Sequence, residues 1–248
     1  MIDFEELHKS FDGVEVIKGL NLRIEKGEIL ALIGRSGQGK SVLLKQAAGL
    51  IKPDRGRVLV DGQEIGHIRG NALARLRSRL GFLFQGGALF DSMSIFDNVA
   101  FPLREKSILS EEEIGKRVID ELKLIGLSGS EGKYPSQLSG GMIKRAALAR
   151  ELVLGPEIMF FDEPTTGLDP IIGNAILKLI DDIHKRFHFT GIIVTHEVPK
   201  VFEIVDKVAM LHEGTLLAKG SPEEIIASED PIVQQFIKGD LDGPISVC

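Results

Sequence analysis

Apolar and polar residues fall along the chain in two textures. At the start, Ile2, Phe4 and Glu6 alternate with Asp3, Glu5 and Leu7, a period of two that predicts a strand with those two sets on opposite faces. Strand-like runs follow at 14–24, 28–33 and 57–60, punctuated by the turn signals Asp12-Gly13, Lys26-Gly27 and Pro53-Asp54-Arg55-Gly56. From Leu80 the texture changes. Residues 80–84 read as a buried strand, and a Gly-rich connection leads into a helical region from about 94 to 126. Within it Ser110 precedes Glu111, Glu112 and Glu113, an N-cap with acids in the first turn, which predicts a helix over 111–125. A further helix runs from Gly140-Gly141 to Leu154, stopped by Gly155-Pro156. Three short, continuously apolar strands then recur at 158–161, 191–195 and 208–212, the first two separated by a helical pattern over 170–187. Apolar strands alternating with helices predict an α/β fold with a parallel sheet covered on both faces, and a mostly helical insert at about 85–138.

Composition narrows the class. With 43% hydrophobic and 27% charged residues in 248, the chain has ordinary globular proportions. Its 30 Lys+Arg against 36 Asp+Glu leave a net charge of −6, which lends no support to a nucleic-acid partner. The longest apolar run is 29–33, far short of the roughly 20 residues of a spanning helix, so no membrane crossing is expected. The acidic opening Met1-Ile-Asp-Phe-Glu-Glu-Leu7 has no basic or apolar leader pattern, and no export signal is expected. The one cysteine, Cys248, offers neither an internal disulfide nor a zinc cluster and stands too close to the end for a prenylation box. These features predict a protein of the cytosolic side.

The chemistry is concentrated in two places. Gly34-Arg35-Ser36-Gly37-Gln38-Gly39-Lys40-Ser41 fits G-x-x-x-x-G-K-[ST], with an apolar strand before it and a helical stretch after. Glycines let successive N–H groups point at phosphate oxygens, and the helix N-terminus adds partial positive charge. Lys40 then reaches the β- and γ-phosphates and Ser41 ligates Mg²⁺. The bland alternative, a Gly-rich turn with a surface lysine, does not account for strand, spacing and helix together. Nucleotide contacts are expected from Gly34, Arg35, Ser36, Gly37, Gln38, Gly39, Lys40, Ser41 and Val42. Downstream, the apolar run 158–161 ends in Asp162-Glu163. Asp162 is placed to hold Mg²⁺ as a Walker B aspartate does, and Glu163 to polarise an attacking water as general base.

A P-loop opens kinases, GTPases and transport ATPases alike. The deciding segment is Leu138-Ser139-Gly140-Gly141-Met142, set just before a helix and ahead of Arg145 and Arg150. Alone, it reads as a serine-capped helix with a flexible entry. Together with the other motifs the sequence resembles the ATP-binding-cassette ATPases over nearly its whole length, with residues 138–142 at the place of the LSGGQ signature. The resemblance implies that Phe11 is the A-loop ring that stacks on adenine, a place usually held by tyrosine. It makes Gln85, 45 residues beyond Lys40, the Q-loop glutamine sensing Mg²⁺ and the attacking water. Gly167-Leu168-Asp169 becomes the D-loop, and His196, 33 residues past Glu163, the switch histidine at the γ-phosphate. His184 and His188 lie one turn apart without an evident third ligand, and no metal is assigned to them.

What the resemblance implies further is an ATP-binding and hydrolysing domain over 1–238. Its RecA-like parallel core carries an N-terminal antiparallel β subdomain and a helical signature subdomain at about 86–153. An extension, 239–248, follows. Two cassettes face head to tail in that family, so Ser139, Gly140 and Gly141 act on the partner subunit's ATP, and Asp169 belongs to the same interface. Transmembrane permease subunits receive the work, and the surface after the Q-loop takes their coupling helix. Leu89, Phe90, Met93, Ile95, Phe96, Val99 and Phe101 are candidates for that surface, each also a candidate for core. Met142 in place of glutamine, the text of residues 86–105 and the tail 239–245 resemble the ATPases of bacterial lipid-asymmetry (Mla-type) systems. Those work with MCE-domain proteins on phospholipid from the cytoplasmic face of the inner membrane. The alternatives are an importer ATPase for a polar solute such as an amino acid, a cassette protein acting on DNA or ribosomes, and a small-molecule kinase or GTPase. The second would need a long coiled-coil insert or two cassettes, and the last a guanine-reading box or an account of the signature. The sequence supplies none of these.

Overall fold

The computed structural model describes residues 1–246. The chain forms β1 (Ile2–Phe11), β2 (Val14–Ile24), β3 (Ile29–Ile33), α1 (Lys40–Ala47), β4 (Arg55–Val60), β5 (Gln63–Glu64) and α2 (Gly70–Ser78). Next come β6 (Leu80–Leu83), α3 (Ile95–Lys106), α4 (Glu111–Leu124), α5 (Gly140–Leu152), β7 (Ile158–Asp162) and α6 (Pro170–Phe187). The last elements are β8 (Thr190–Val194), β9 (Lys207–His212), β10 (Thr215–Gly220), α7 (Pro222–Ile226) and α8 (Pro231–Lys238). They make two compact units, one from residues 1–73 with the described residues from Thr190 on, the other from 74–189.

The first unit holds two sheets. Strands β2, β1, β4 and β5 lie side by side in that order, antiparallel throughout. The β1–β2 hairpin turns at Asp12-Gly13, both with positive φ (50° and 80°), the backbone that a two-residue turn between twisted strands requires. The alternation expected along β1 breaks at Glu6. A bulge between Phe4 and Leu7, with Glu6 at φ 46°, spends one extra residue, so Leu7 joins Ile2 and Phe4 in the core while Glu6 is exposed. Gly56 is fitted to that bulge: a Cβ there would stand 2.1 Å from the Glu6 carbonyl oxygen and 2.4 Å from that of Glu5. The second sheet is the parallel core. Every residue of β3 and β8 is buried, β3 pairs in parallel with β8 and β9, and β10 closes on β9 antiparallel. After α8 the chain turns at Gly239 (φ 71°) and folds back. The buried Gln235 accepts the Ile245 N–H at 2.6 Å and donates to the Ile245 and Asp240 carbonyls. Cys248 lies outside the described residues.

In the second unit β6 and β7 pair in parallel, with Phe82 opposite Phe160 and their rings 5.9 Å apart. Helix α5 carries Ala146, Ala147, Leu148 and Ala149, all buried, and packs on α3, α4, α6 and β6. The helical region expected over 94–126 is two helices, because Ser107 and Ser110 turn the backbone to their own hydrogen bonds. The Ser107 hydroxyl donates to the Leu103 carbonyl, and Ser110 starts α4 with a capping box in which the Glu113 carboxylate accepts the Ser110 N–H at 2.8 Å. Asn98, fully buried on α3, accepts the Phe90 N–H at 2.7 Å, and its Nδ2 faces the carbonyls of Phe90, Met93 and Ser94 at 3.0–3.2 Å. That one side chain ties the loop after β6 to the helix.

Helix α4 also carries a liability. Burial pushes the Glu121 carboxyl above the usual carboxylate range against the pull of Arg186 and Arg117, and its Oε2 is buried without a hydrogen-bond partner. A raised folded-state pKa means that stability falls as pH rises from the unfolded glutamate value, about 4.3, through the folded one. Glu121→Gln is therefore expected to stabilise the chain by roughly 1 kcal/mol at pH 7.5, with the gain vanishing below pH 4. Urea unfolding of both proteins at the two pH values checks this, and a variant less stable at pH 7.5 contradicts it.

Candidate functional site

In the first unit the buried strand β3 delivers the chain into a glycine loop at its carboxyl end. Gly34 has φ 139°, and a Cβ there would stand 2.3 Å from the Leu211 carbonyl oxygen of β9, so only glycine lets the loop leave the sheet this closely. Gly39 (φ 92°) is equally confined, its missing Cβ 2.7 Å from Ile17 Cδ1. Gly39 is also the N-cap of α1 and brings no side-chain acceptor to the first turn. Helices α3, α4, α5 and α6 are capped by Ser94, Ser110, Ser139 and Asp169. A helix start without such a cap, at the end of a central parallel strand, is built for an anion from outside the chain.

Lys40 is buried, and its Nζ donates to the carbonyls of Gly34 (2.6 Å) and Arg35 (2.8 Å), drawing the loop around the ammonium. Gln38 turns away from the loop's interior and accepts the Glu213 N–H from the β9–β10 turn. Arg35, Ser36 and Gly37 are exposed on the loop's outer arc; Ser41 and Val42 follow Lys40 in the first turn of α1. At the tip of the β1–β2 hairpin the Phe11 ring is 42% exposed, with the Lys9 ammonium 5.3 Å from its centroid. An exposed ring beside a cation offers a stacking face. His196 follows β8; the buried Thr195 hydroxyl oxygen accepts the Glu197 N–H at 2.9 Å, a turn that leaves His196 exposed.

In the second unit β7 runs buried to its last residue, Asp162, and Glu163 follows with a left-handed backbone, φ 54°. Such a conformation in a non-glycine residue is costly and holds only where its surroundings fix it. Here the Thr166 hydroxyl donates to Glu163 Oε2 at 2.8 Å, setting the carboxylate's orientation. Gln85 lies exposed just beyond β6. Its carbonyl accepts a hydrogen bond from Lys144 Nζ, which also lies 3.5 Å from the Glu163 carbonyl oxygen.

Ser139 is the N-cap of α5, and Gly140 and Gly141 form its first residues. Ser139 and Gly140 are exposed, whereas Gly141 is buried: a Cβ there would meet Ile172 Cγ2 at 2.5 Å. Asp169 caps α6, its Oδ1 accepting the N–H groups of Ile171 and Ile172 at 3.1 Å, so the D-loop position and the signature glycines meet at the head of α6. Arg145 and Arg150 are both spent on carbonyls, Arg145 on Ile125 and Arg150 on Gly87 and Ala88.

Beside Gln85 lies a groove of about 330 Å³ lined by Phe84, Phe90, Phe101, Pro102 and Arg150, among others. Of the apolar residues expected at this surface, Ile95 and Val99 belong to the core, whereas Phe90 and Phe101 meet edge to face across the groove, 5.1 Å between centroids. Asn98 and Lys144 carry no motif that sequence reasoning could use, and Thr166 stands in the text of the D-loop without a role of its own. A polar residue amid the apolar positions of a helix, as at 98 and 144, is the one signal that points to them.

The sequence profile of the ABC transporter family matches residues 17–166. The chain is 44% identical over 230 residues to the intermembrane phospholipid transport system ATP-binding protein MlaF of Haemophilus influenzae, covering 93% of this chain and 87% of that protein. It is also 44% identical over 246 residues to a probable ribonucleotide transport ATP-binding protein, mkl, of Mycobacterium leprae, covering 99% of this chain and 71% of that one. Its fold is similar to that of a dimeric ATP-binding cassette in a post-hydrolysis state with ADP and Pi bound. That likeness has a TM-score of 0.81 at 29% identity and covers 90% of this chain and 99% of the other.

Proposed function

The chain belongs to the ABC transporter family, as one of its ATP-hydrolysing subunits, and from that membership we propose that it drives phospholipid transport between the membranes of a bacterial envelope. The observation that carries this reading is the 44% identity to a phospholipid-transport ATPase through 93% of the chain. Among the described residues no helix is long and apolar enough to cross a membrane. The partners are a second copy of the chain, transmembrane permease subunits and MCE-domain or other accessory proteins, at the cytoplasmic face of the inner membrane. Phe90, on a loop that Asn98 holds in place, and Phe101, on α3, are the apolar faces offered to the permease.

Each site residue then has a task. Phe11 stacks on adenine, and the N–H groups of residues 34–42 and the Lys40 ammonium hold the phosphates. The hydroxyl of Ser41, the amide oxygen of Gln85 and the carboxylate of Asp162 are hard oxygen donors of the kind Mg²⁺ takes, and Asp162 stands buried at the end of an apolar strand. Bound there, Mg²⁺ supplies charge that neutralises the phosphate oxygens. Glu163 takes a proton from water as its oxygen bonds to the γ-phosphorus and ADP departs, and His196 donates a hydrogen bond to the γ-phosphate. Ser139, Gly140 and Gly141 present their N–H groups to the ATP held by the partner subunit, and Asp169 shapes that interface from the head of α6.

The test is to recover the Glu163→Gln variant with ATP from its native membrane in mild detergent. A permease, an MCE-domain protein and bound phospholipid are the expected companions. A permease with a solute-binding protein and no phospholipid overturns the lipid assignment in favour of a polar solute.

A further inference from the structure

Helix α5 begins with the signature residues and carries, in its second turn, the lysine Lys144. It is only 5% exposed, on a helix whose neighbouring inward positions are alanines and a leucine. A buried ammonium is costly unless its protons are taken up. Here they are directed at two backbone carbonyls: Gln85, at the start of the loop after β6, and Glu163, immediately after β7. Arg150, further along the same helix, holds the next carbonyls of that loop, Gly87 (3.2 Å) and Ala88 (2.6 Å). The helix therefore grips the first part of the loop at three carbonyls, and of its two cations only Lys144 also reaches the residue proposed as general base. Burial pushes the Lys144 ammonium's pKa down while the charges of Asp162 and Glu163 pull it up, so both carboxylates lie within electrostatic reach.

Glu163 needs such support, since its left-handed backbone must be held from outside. We infer that Lys144 is a positioning residue for ATP hydrolysis, linking the Gln85 backbone to that of Glu163 so that movement of the loop after β6 sets the angle of the Glu163 carboxylate. Thr166 fixes the carboxylate's rotation, and Lys144 fixes the backbone from which it projects. This rests on Glu163 acting as general base.

The experiment uses the purified full chain with ATP and Mg²⁺, and compares Lys144→Met, Lys144→Gln, Lys144→Arg and Glu163→Gln. Lys144→Met is expected to lower kcat about 30-fold while ATP affinity, read by equilibrium binding, stays within about threefold, because the lysine acts on the base and not on the nucleotide. Lys144→Arg, which keeps a cation donor, is expected to restore most of kcat. Lys144→Gln, which keeps a neutral donor, is expected to fall between and serves if the methionine variant does not fold. In the Glu163→Gln background Lys144→Met is expected to have no further effect. A kcat within threefold of the parent for the Met or Gln variant overturns the inference, as does a parallel loss of ATP affinity. Full turnover by Glu163→Gln instead sinks the general-base assignment on which it rests, so the two failures are read separately.

Discussion

Glu163→Gln is expected to lower ATP turnover by about 10²–10³-fold while leaving ATP affinity within about threefold of the parent. The amide keeps the size and the Thr166 hydrogen bond of the carboxylate but has no basic oxygen to take the proton from water, and a positioned general base contributes on this scale. Binding is spared because the groups that hold the phosphates belong to the glycine loop, not to the end of β7. Phosphate release and equilibrium nucleotide binding, measured on the same preparation, separate the two effects. Turnover above about a third of the parent's would reassign the base.

For Lys40→Ala the expected loss is in binding, roughly 30- to 100-fold in the Kd for ATP. The Lys40 ammonium is buried and already oriented by the Gly34 and Arg35 carbonyls, so removing it deletes a charge aimed at the phosphates and loosens the loop that presents the N–H groups. Hydrogen bonds to charged groups are worth about 1.5–3 kcal/mol, and 1.4 kcal/mol is tenfold in affinity. The same change should shrink the rise in Tm that ATP confers, since a ligand stabilises with the logarithm of its concentration relative to Kd. A variant with unchanged Kd would remove Lys40 from the phosphate site.

The residues that were legible in the sequence are those whose chemistry is written by neighbours in the chain. A five-residue apolar strand, a glycine loop and a Lys-Ser pair are contiguous, and the fold kept them so; the strand at 158–161 with its two acids is the same kind of signal. Ser110 with three acids behind it announced α4 and its N-cap. What escaped was made by contacts between distant positions. Lys144 reads as one more helix lysine until Gln85 and Glu163, 59 and 19 residues away, turn their carbonyls toward it. Asn98 is unremarkable until the loop before it folds back onto the helix. The end of α3 at Lys106 was hidden because apolar residues, Ile108 and Leu109, continue beyond it. The facing of β1 was misread because alternation looks regular up to the residue where one is spent on the bulge.

That bulge constrains how a gene for such a protein can change. The extra residue in β1 and the absent side chain at position 56 are two halves of one trait, since the Glu5 and Glu6 carbonyls occupy the space that any Cβ at 56 would need. The order of change is fixed: a side chain at 56 must wait for a deletion in the first strand, and that deletion leaves Leu7 in phase with Ile2 and Phe4, two places after Phe4 in regular alternation. The pair is expected to pass down a lineage together, so in a family of such chains glycine at 56 should track the length of the first strand better than overall similarity does.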